Sequence, residues 1–148
     1  MTIEFISESN YKNFLQVENL EINVNGSDAW TKIQTNSIGS FKICFFRVKN
    51  NDEWWYFILE NVFIKYFNDN LVVNYSGKLN YYLEDLKDIK EYKNILKVNQ
   101  TKINEYKALQ NLNPSSAYQT QINNLELEDK KIKYKINFSL GEAHEIKN

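Results

Sequence analysis

Two of the three tryptophans and six of the nine phenylalanines fall between Phe41 and Tyr75, in FKICFFRVKNNDEWWYFILENVFIKYFNDNLVVNY. Any fold this chain adopts has to bury that stretch, so the core is expected there. Phe41, Ile43 and Phe45 alternate with Lys42 and Cys44, the period of a strand with one buried face. Asn50-Asn51-Asp52 tolerates left-handed backbone and reads as a turn. Trp54 to Leu59 is apolar on both faces, as in a central strand covered on both sides. Glu60-Asn61 then interrupts before Val62 to Phe67. A two-residue hairpin turn prefers Gly at one of those positions, so a bulge within one long strand is favoured over a turn. Asn68-Asp69-Asn70 turns the chain again, and Leu71, Val73 and Tyr75 form a further half-buried strand. The expected product is an antiparallel meander.

The segments around it are shorter. Ile3 and Phe5 suggest a first strand. Tyr11, Phe14 and Leu15 sit at helical spacing behind possible caps at Ser7 or Ser9, which favours a short helix in 7–17. Leu20, Ile22 and Val24 alternate up to an Asn25-Gly26 turn signal. Trp30 to Thr35 reads as a strand and Asn36 to Ser40 as a loop.

After Gly77 the period changes. From Asn80 to Leu112 neither Gly nor Pro occurs, which predicts one long helix with Asn80 as its N-cap and Asn113-Pro114 as its stop. Its apolar residues run Leu83, Leu86, Ile89, Tyr92, Ile95, then Ile103, Tyr106, Leu109, Leu112. Steps of three residues drift about 60° each on a helix that turns 100° per residue, so this stripe winds around the rod. The helix therefore bends near Asn99-Gln100-Thr101, or its halves face different partners. Beyond Pro114 the strand period returns at Tyr118, Thr120 and Ile122. It is clearest where Ile132, Tyr134, Ile136, Phe138 and Leu140 alternate with lysine and polar residues, and 141–148 is a polar tail.

The fold class expected is α+β in a single domain, 1–148. About eight antiparallel strands form a twisted sheet, sandwich or partly open barrel, with one long, bent helix before a C-terminal hairpin.

Charge removes several functions. Lys and Arg total 18 against 19 Asp and Glu, so no general attraction to nucleic acid or an anionic membrane follows. No apolar run approaches the ~20 residues needed to cross a bilayer, and Met1 to Phe5 lacks a secretory pattern, so a cytoplasmic location is expected. The heavy use of Asn and Lys has base composition as its simplest cause, which also makes the four Asn-x-Ser/Thr sequons accidental. The lone cysteine, Cys44, allows no internal disulfide, and in an apolar strand it reads as core. The lone histidine, His144, sits in the tail with no scaffold to hold it beside a nucleophile or metal. No Gly-rich phosphate loop is present. No catalytic residue, metal site or cofactor is therefore expected.

What remains points to protein contact or self-association. Trp54 and Trp55 point to opposite strand faces, so one becomes an interface anchor unless both faces are covered. Tyr82, Tyr92 and Tyr106 add amphipathic surface on the expected helix. Glu84, Asp85, Asp88 and Glu91 are candidate acidic contacts on the expected helix, and Glu84, Asp88 and Glu91 share one face, although interleaved lysines make a merely solvated surface the simpler reading. Lys131, Lys133 and Lys135 likewise read as the solvated side of the last strand. A non-catalytic protein-binding module is expected: an inhibitor, an immunity or antitoxin-like protein, or an assembly subunit. The alternative is a small-ligand cup with an aromatic pocket, and third a carboxylate- or tyrosine-dependent enzyme.

Overall fold

Between β1 (Thr2–Ser7) and β7 (Asn70–Ser76) lies the one parallel pairing of a seven-stranded sheet that is otherwise antiparallel. The remaining strands are β2 (Lys12–Gln16), β3 (Leu20–Asn23), β4 (Trp30–Lys32), β5 (Ser37–Asn50) and β6 (Glu53–Phe67), in the order β2-β1-β7-β6-β5-β3-β4. The computed structural model describes residues 1–85 and 89–146. They divide into two compact units, one of residues 1–83 with 142–146, the other of residues 84–85 and 89–141.

The sheet is strongly curled, and a short link proves it. Five strand spacings separate β2 from β3 in the sheet, about 24 Å if it were flat. Only Val17, Glu18 and Asn19 join those strands, and four residue steps reach about 14 Å. On the way Val17 N–H donates to Met1 C=O and Glu18 N–H to Lys49 C=O, so the link bonds to β5 as it crosses. Curling encloses a core in which Ile3, Phe5, Leu20, Phe46, Val48, Phe57, Leu71 and Val73 have no exposure.

The β5–β6 hairpin explains how one sheet can curl so far. Asn51 and Asp52 (φ 51° and 64°) join β5 to β6, and Asn68 and Asp69 (φ 50° and 63°) join β6 to β7. Both are two-residue turns with the left-handed pair that matches strand twist, made by Asn-Asp without glycine. Asn61 (φ 49°) lies where the β6–β7 register shifts, so β6 is one long strand with an irregularity at the interruption. Core-facing residues step from Phe57 and Leu59 to Val62 and Ile64, and across the hairpin from Cys44 back to Phe41. Each strand changes parity at that point, as strands do when they turn a corner between layers.

Several expectations are corrected. The 7–17 helix is a tight turn and an edge strand. Asn10 (φ 64°) donates its N–H to Ser7 C=O, and β2 then pairs along β1 from Lys12 to Gln16. Within the expected 36–40 loop, Ser37–Ser40 are instead the start of β5. Its small residues hide the strand because the Phe41 ring occupies the space beside Gly39, where a Cβ would lie 2.8 Å from the ring. Asn80 is not a helix cap: with Tyr81 it forms β8, which pairs with β9 (His144–Glu145), and Tyr82 bridges to Tyr56. The tail is thus partly strand.

The largest correction concerns the C-terminal third. The second unit is an antiparallel pair of helices, α1 (Ile89–Leu112) and α2 (Ser116–Asn137), and no C-terminal β-hairpin exists there. The Ser115 side chain caps α2 by accepting the Ala117 N–H, directly after the Pro114 break. The side of α1 turned from solvent carries Tyr92, Leu96, Asn99, Ile103, Tyr106 and Gln110, and that of α2 carries Tyr118, Ile122, Leu125, Asp129, Ile132 and Ile136. Steps of four and three alternate in both, the spacing of a coiled-coil seam. The Asn99 amide donates to Asp129 across the seam at 2.9 Å, Gln110 to Gln119 at 3.0 Å, and Tyr106 faces Tyr118. The partner of α1 is therefore another helix of the same chain. At the open end of the pair, Glu84 bridges to Leu140 and the Tyr92 hydroxyl donates to Gly141 C=O. Gly141 is required there, since a Cβ would lie 2.6 Å from that of Asp85.

Candidate functional site

Curling leaves a seam. β5 pairs with β6 from Ser37 to Asn50, but β3 joins β5 only at Phe46–Val48. Beyond that point β3 and β4 diverge from the beginning of β5, and 33–36 bridges one end of the gap. The gap is a groove of about 500 Å³. One wall comes from Ile22, Val24 and the Thr31–Gln34 stretch, the other from Ser37–Gly39, with Phe41 and Ile64 completing it. Phe41, Ile22 and Ile33 also pack on the core, so the groove floor is continuous with the sheet interior. Val24 and Ile38, at its mouth, are each 63% exposed.

Beside the groove, on the opposite face of the sheet from the core, the single arginine organises an aromatic rack. The Arg47 guanidinium lies 4.2 Å from the Trp30 ring centre and 4.1 Å from that of Trp54. Two of its nitrogens reach Oε1 of Glu21, at 2.8 Å from Nε and 2.7 Å from Nη2. Planarity lets the group stack and hydrogen-bond at once, which an ammonium cannot do. Trp30 further packs on Phe45 and Tyr56, so side chains from β3, β4, β5 and β6 are tied together. The arrangement holds β4 in place as a groove wall.

The expected site residues do not form one patch. Trp54 is half-buried in the Arg47 rack, and Trp55 is half-buried on the other face, stacked on Tyr81 at 4.0 Å. Both tryptophans are thus largely occupied within their own unit. Tyr82 is half-buried beside Tyr56. Glu84 and Glu91 are exposed, the Asp85 N–H donates to Ser139 C=O, and Asp88 lies outside the described residues. Tyr92 is buried and Tyr106 half-buried in the helix pair. Exposed apolar side chains on α1 are Val98, Leu109 and Leu112, the last 84% exposed. None of the groove residues was expected as a site. The signal available was Ile38 within the Ser37-Ile38-Gly39-Ser40 run before a strand, which reads as a loop until Phe41 is seen over Gly39.

Among the described residues no group of three or more His, Cys, Asp or Glu side chains converges as a metal site would require. No helix among them is long and apolar enough to cross a membrane. His144 is exposed, with its ring 5.2 Å from Tyr81.

Cys44 is 1% exposed on the core face, and burial pushes its thiol up to about 12. It is expected to ignore Ellman's reagent at pH 8 in the native state and to react fully in denaturant. Unfolded chains lose the thiol proton from about pH 9 upward while the folded chain keeps it. Its contribution to stability is therefore complete below that pH and is lost as pH rises toward 12. Rapid native labelling contradicts this placement.

Fold and groove define the chain as a mixed α+β protein with a partly open, curled sheet and a helical hairpin. Residues 1–80, just over half of the chain, match the family model described as the UU051 N-terminal domain. The chain belongs to that family. The matched stretch covers all seven strands of the main sheet, the Arg47 rack and every groove residue. No curated protein matches the chain.

Proposed function

We propose that this chain is a non-catalytic protein-binding module whose contact site is the seam of the curled sheet. The carrying observation is the groove itself: apolar, open at its mouth, and bordered by Val24 and Ile38 at 63% exposure each. Isolated exposed aliphatics are ordinary, but two at the rim of an apolar groove are the pattern of a contact surface. The central-strand aromatics support this reading over an aromatic ligand cup. Phe46 stacks on Phe57 at 5.0 Å and Phe57 on Phe5 at 5.4 Å, so those rings fill the core themselves. An inhibitor and an assembly subunit would both use such a site.

The test compares the wild type with a Val24→Glu/Ile38→Glu double variant. Both positions are exposed, so folding is expected to survive. A partner recovered by cross-linking in cells that express the chain, then purified, is expected to bind the wild type one-to-one in calorimetry. The double variant is expected to bind at least 30-fold more weakly. Absence of such a partner, or equal binding by the variant, refutes the reading.

A further inference from the structure

We infer that the groove receives an extended segment of a partner protein as an added strand along Ser37–Phe41, with apolar side chains on alternate residues and a carboxylate opposite Lys32. This rests on the protein-binding reading and specifies its chemistry. Backbone pairing favours an added strand. Ser37–Phe41 pair with β6 on one side, while β3 reaches β5 only at Phe46–Val48. An extended strand presents N–H and C=O groups alternately to both sides, so this edge offers unmatched backbone groups beside an apolar slot. Strand addition satisfies such groups and lets pockets read alternate side chains.

The walls of the groove limit what can enter. Val24 and Thr31–Gln34 stand opposite Ser37–Gly39, so the edge lies inside a slot bounded by the chain's own strands. The corresponding edge of a second copy is flanked by its own β4 and cannot reach in. A lone extended segment carries no such flank. Five residues of strand span about 17 Å, enough to seat two or three side chains on one face.

Charge narrows the occupant further. Among the described residues Lys32 is the one charged residue lining the groove. Its cross-strand neighbour, Glu21, already holds Arg47 through two short contacts. No carboxylate lies within ion-pair distance of Lys32 among the described residues. Lys32 shares the outer face of the wall with Glu21, so an outward-facing acid of the added segment would meet an unmatched cation there.

The experiment probes the full chain with an array of heptapeptides carrying apolar residues at alternate positions and Glu, Lys or Ser at one end. Affinities of the strongest binders are then measured by fluorescence polarisation. Glu-ended peptides are expected to bind at least tenfold tighter than Lys-ended ones, and Lys32→Glu is expected to invert that order. N-methylation of peptide nitrogens is expected to weaken binding at least tenfold at alternate positions and less than twofold between them. Ile38→Glu is expected to abolish binding while keeping the wild-type tryptophan emission. Binding without alternation in the N-methyl series overturns strand addition but leaves a groove that docks protein. If no peptide binds, or Ile38→Glu binds equally, strand addition and the docking reading both fall. Light scattering that shows a dimer dissolved by Ile38→Glu assigns the groove to a second copy and overturns the partner named here.

Discussion

Replacing Phe57 by Ala is expected to destabilise the sheet unit by about 3–5 kcal/mol, the range for emptying a fully buried aromatic site. The ring has no exposure, stacks on Phe46 at 5.0 Å with planes 7° apart, and lies 5.4 Å from Phe5. Those neighbours sit on β5 and β1, strands fixed by pairing on either side of the core, so they cannot collapse into the space left behind. Against a total of about 5–15 kcal/mol for a typical domain, the loss is a large share. All three tryptophans, Trp30, Trp54 and Trp55, belong to this unit, so their fluorescence in a urea titration reports it selectively. With a slope of about 1–3 kcal/mol per molar urea, the midpoint is expected to fall by about 1 M or more. Phe63→Ala on the same strand, at 42% exposure, is the control and is expected to change stability by less than about 1 kcal/mol. Equal effects at the two positions would contradict the core described above.

In the helical unit the decisive pair is Asn99 and Asp129, 3% and 8% exposed and joined at 2.9 Å. Asp129→Ala strands the Asn99 amide in a buried seam and is expected to cost about 1–3 kcal/mol. Changing both residues to Leu removes the polar requirement altogether. That double variant is expected to be at least as stable as the wild type, because apolar packing commonly matches or exceeds a buried polar pair. The thermal transition at 222 nm, where the helices dominate, reads both results. A polar pair at one level of an apolar seam fixes which turn of α1 meets which turn of α2, and the double variant forfeits that alignment. The expected sign of failure is association into larger helical assemblies, seen by light scattering. A harmless Asp129→Ala would show that the pair contributes nothing to the seam.

The same pair explains why the helical hairpin was hidden in the sequence. The apolar residues alone trace a stripe that winds around the rod, through Leu109 and Leu112, which in fact stay exposed. The true seam is completed by Asn99, Gln110 and Asp129, polar residues that no count of apolar spacing includes. At the end of α2 and its C-cap, the perfect alternation of Ile132, Tyr134, Ile136 and Phe138 arises from two helical rows. Ile132 with Ile136 and Tyr134 with Phe138 are each four apart, and all four are at least half-buried. Two interleaved rows of period four imitate a row of period two.

By itself the sequence determined the location of the core, the Asn-Asp turns that reverse the chain after β5 and β6, and β7 with its inward Leu71, Val73 and Tyr75. These depend on neighbours a few residues apart, where left-handed turn chemistry and side-chain alternation are decided by local backbone geometry. It also placed the end of α1 at Asn113-Pro114. Only the tertiary structure decided that 7–17 and 37–40 are strands and that 116–137 is a helix. Their local preferences are weak, and pairing with β1, β6 and α1 supplies the energy that selects among them. The groove belongs to the same category: it exists because a three-residue link forces the sheet to curl while β3 and β4 part from β5, so its lining comes from residues up to forty-two positions apart.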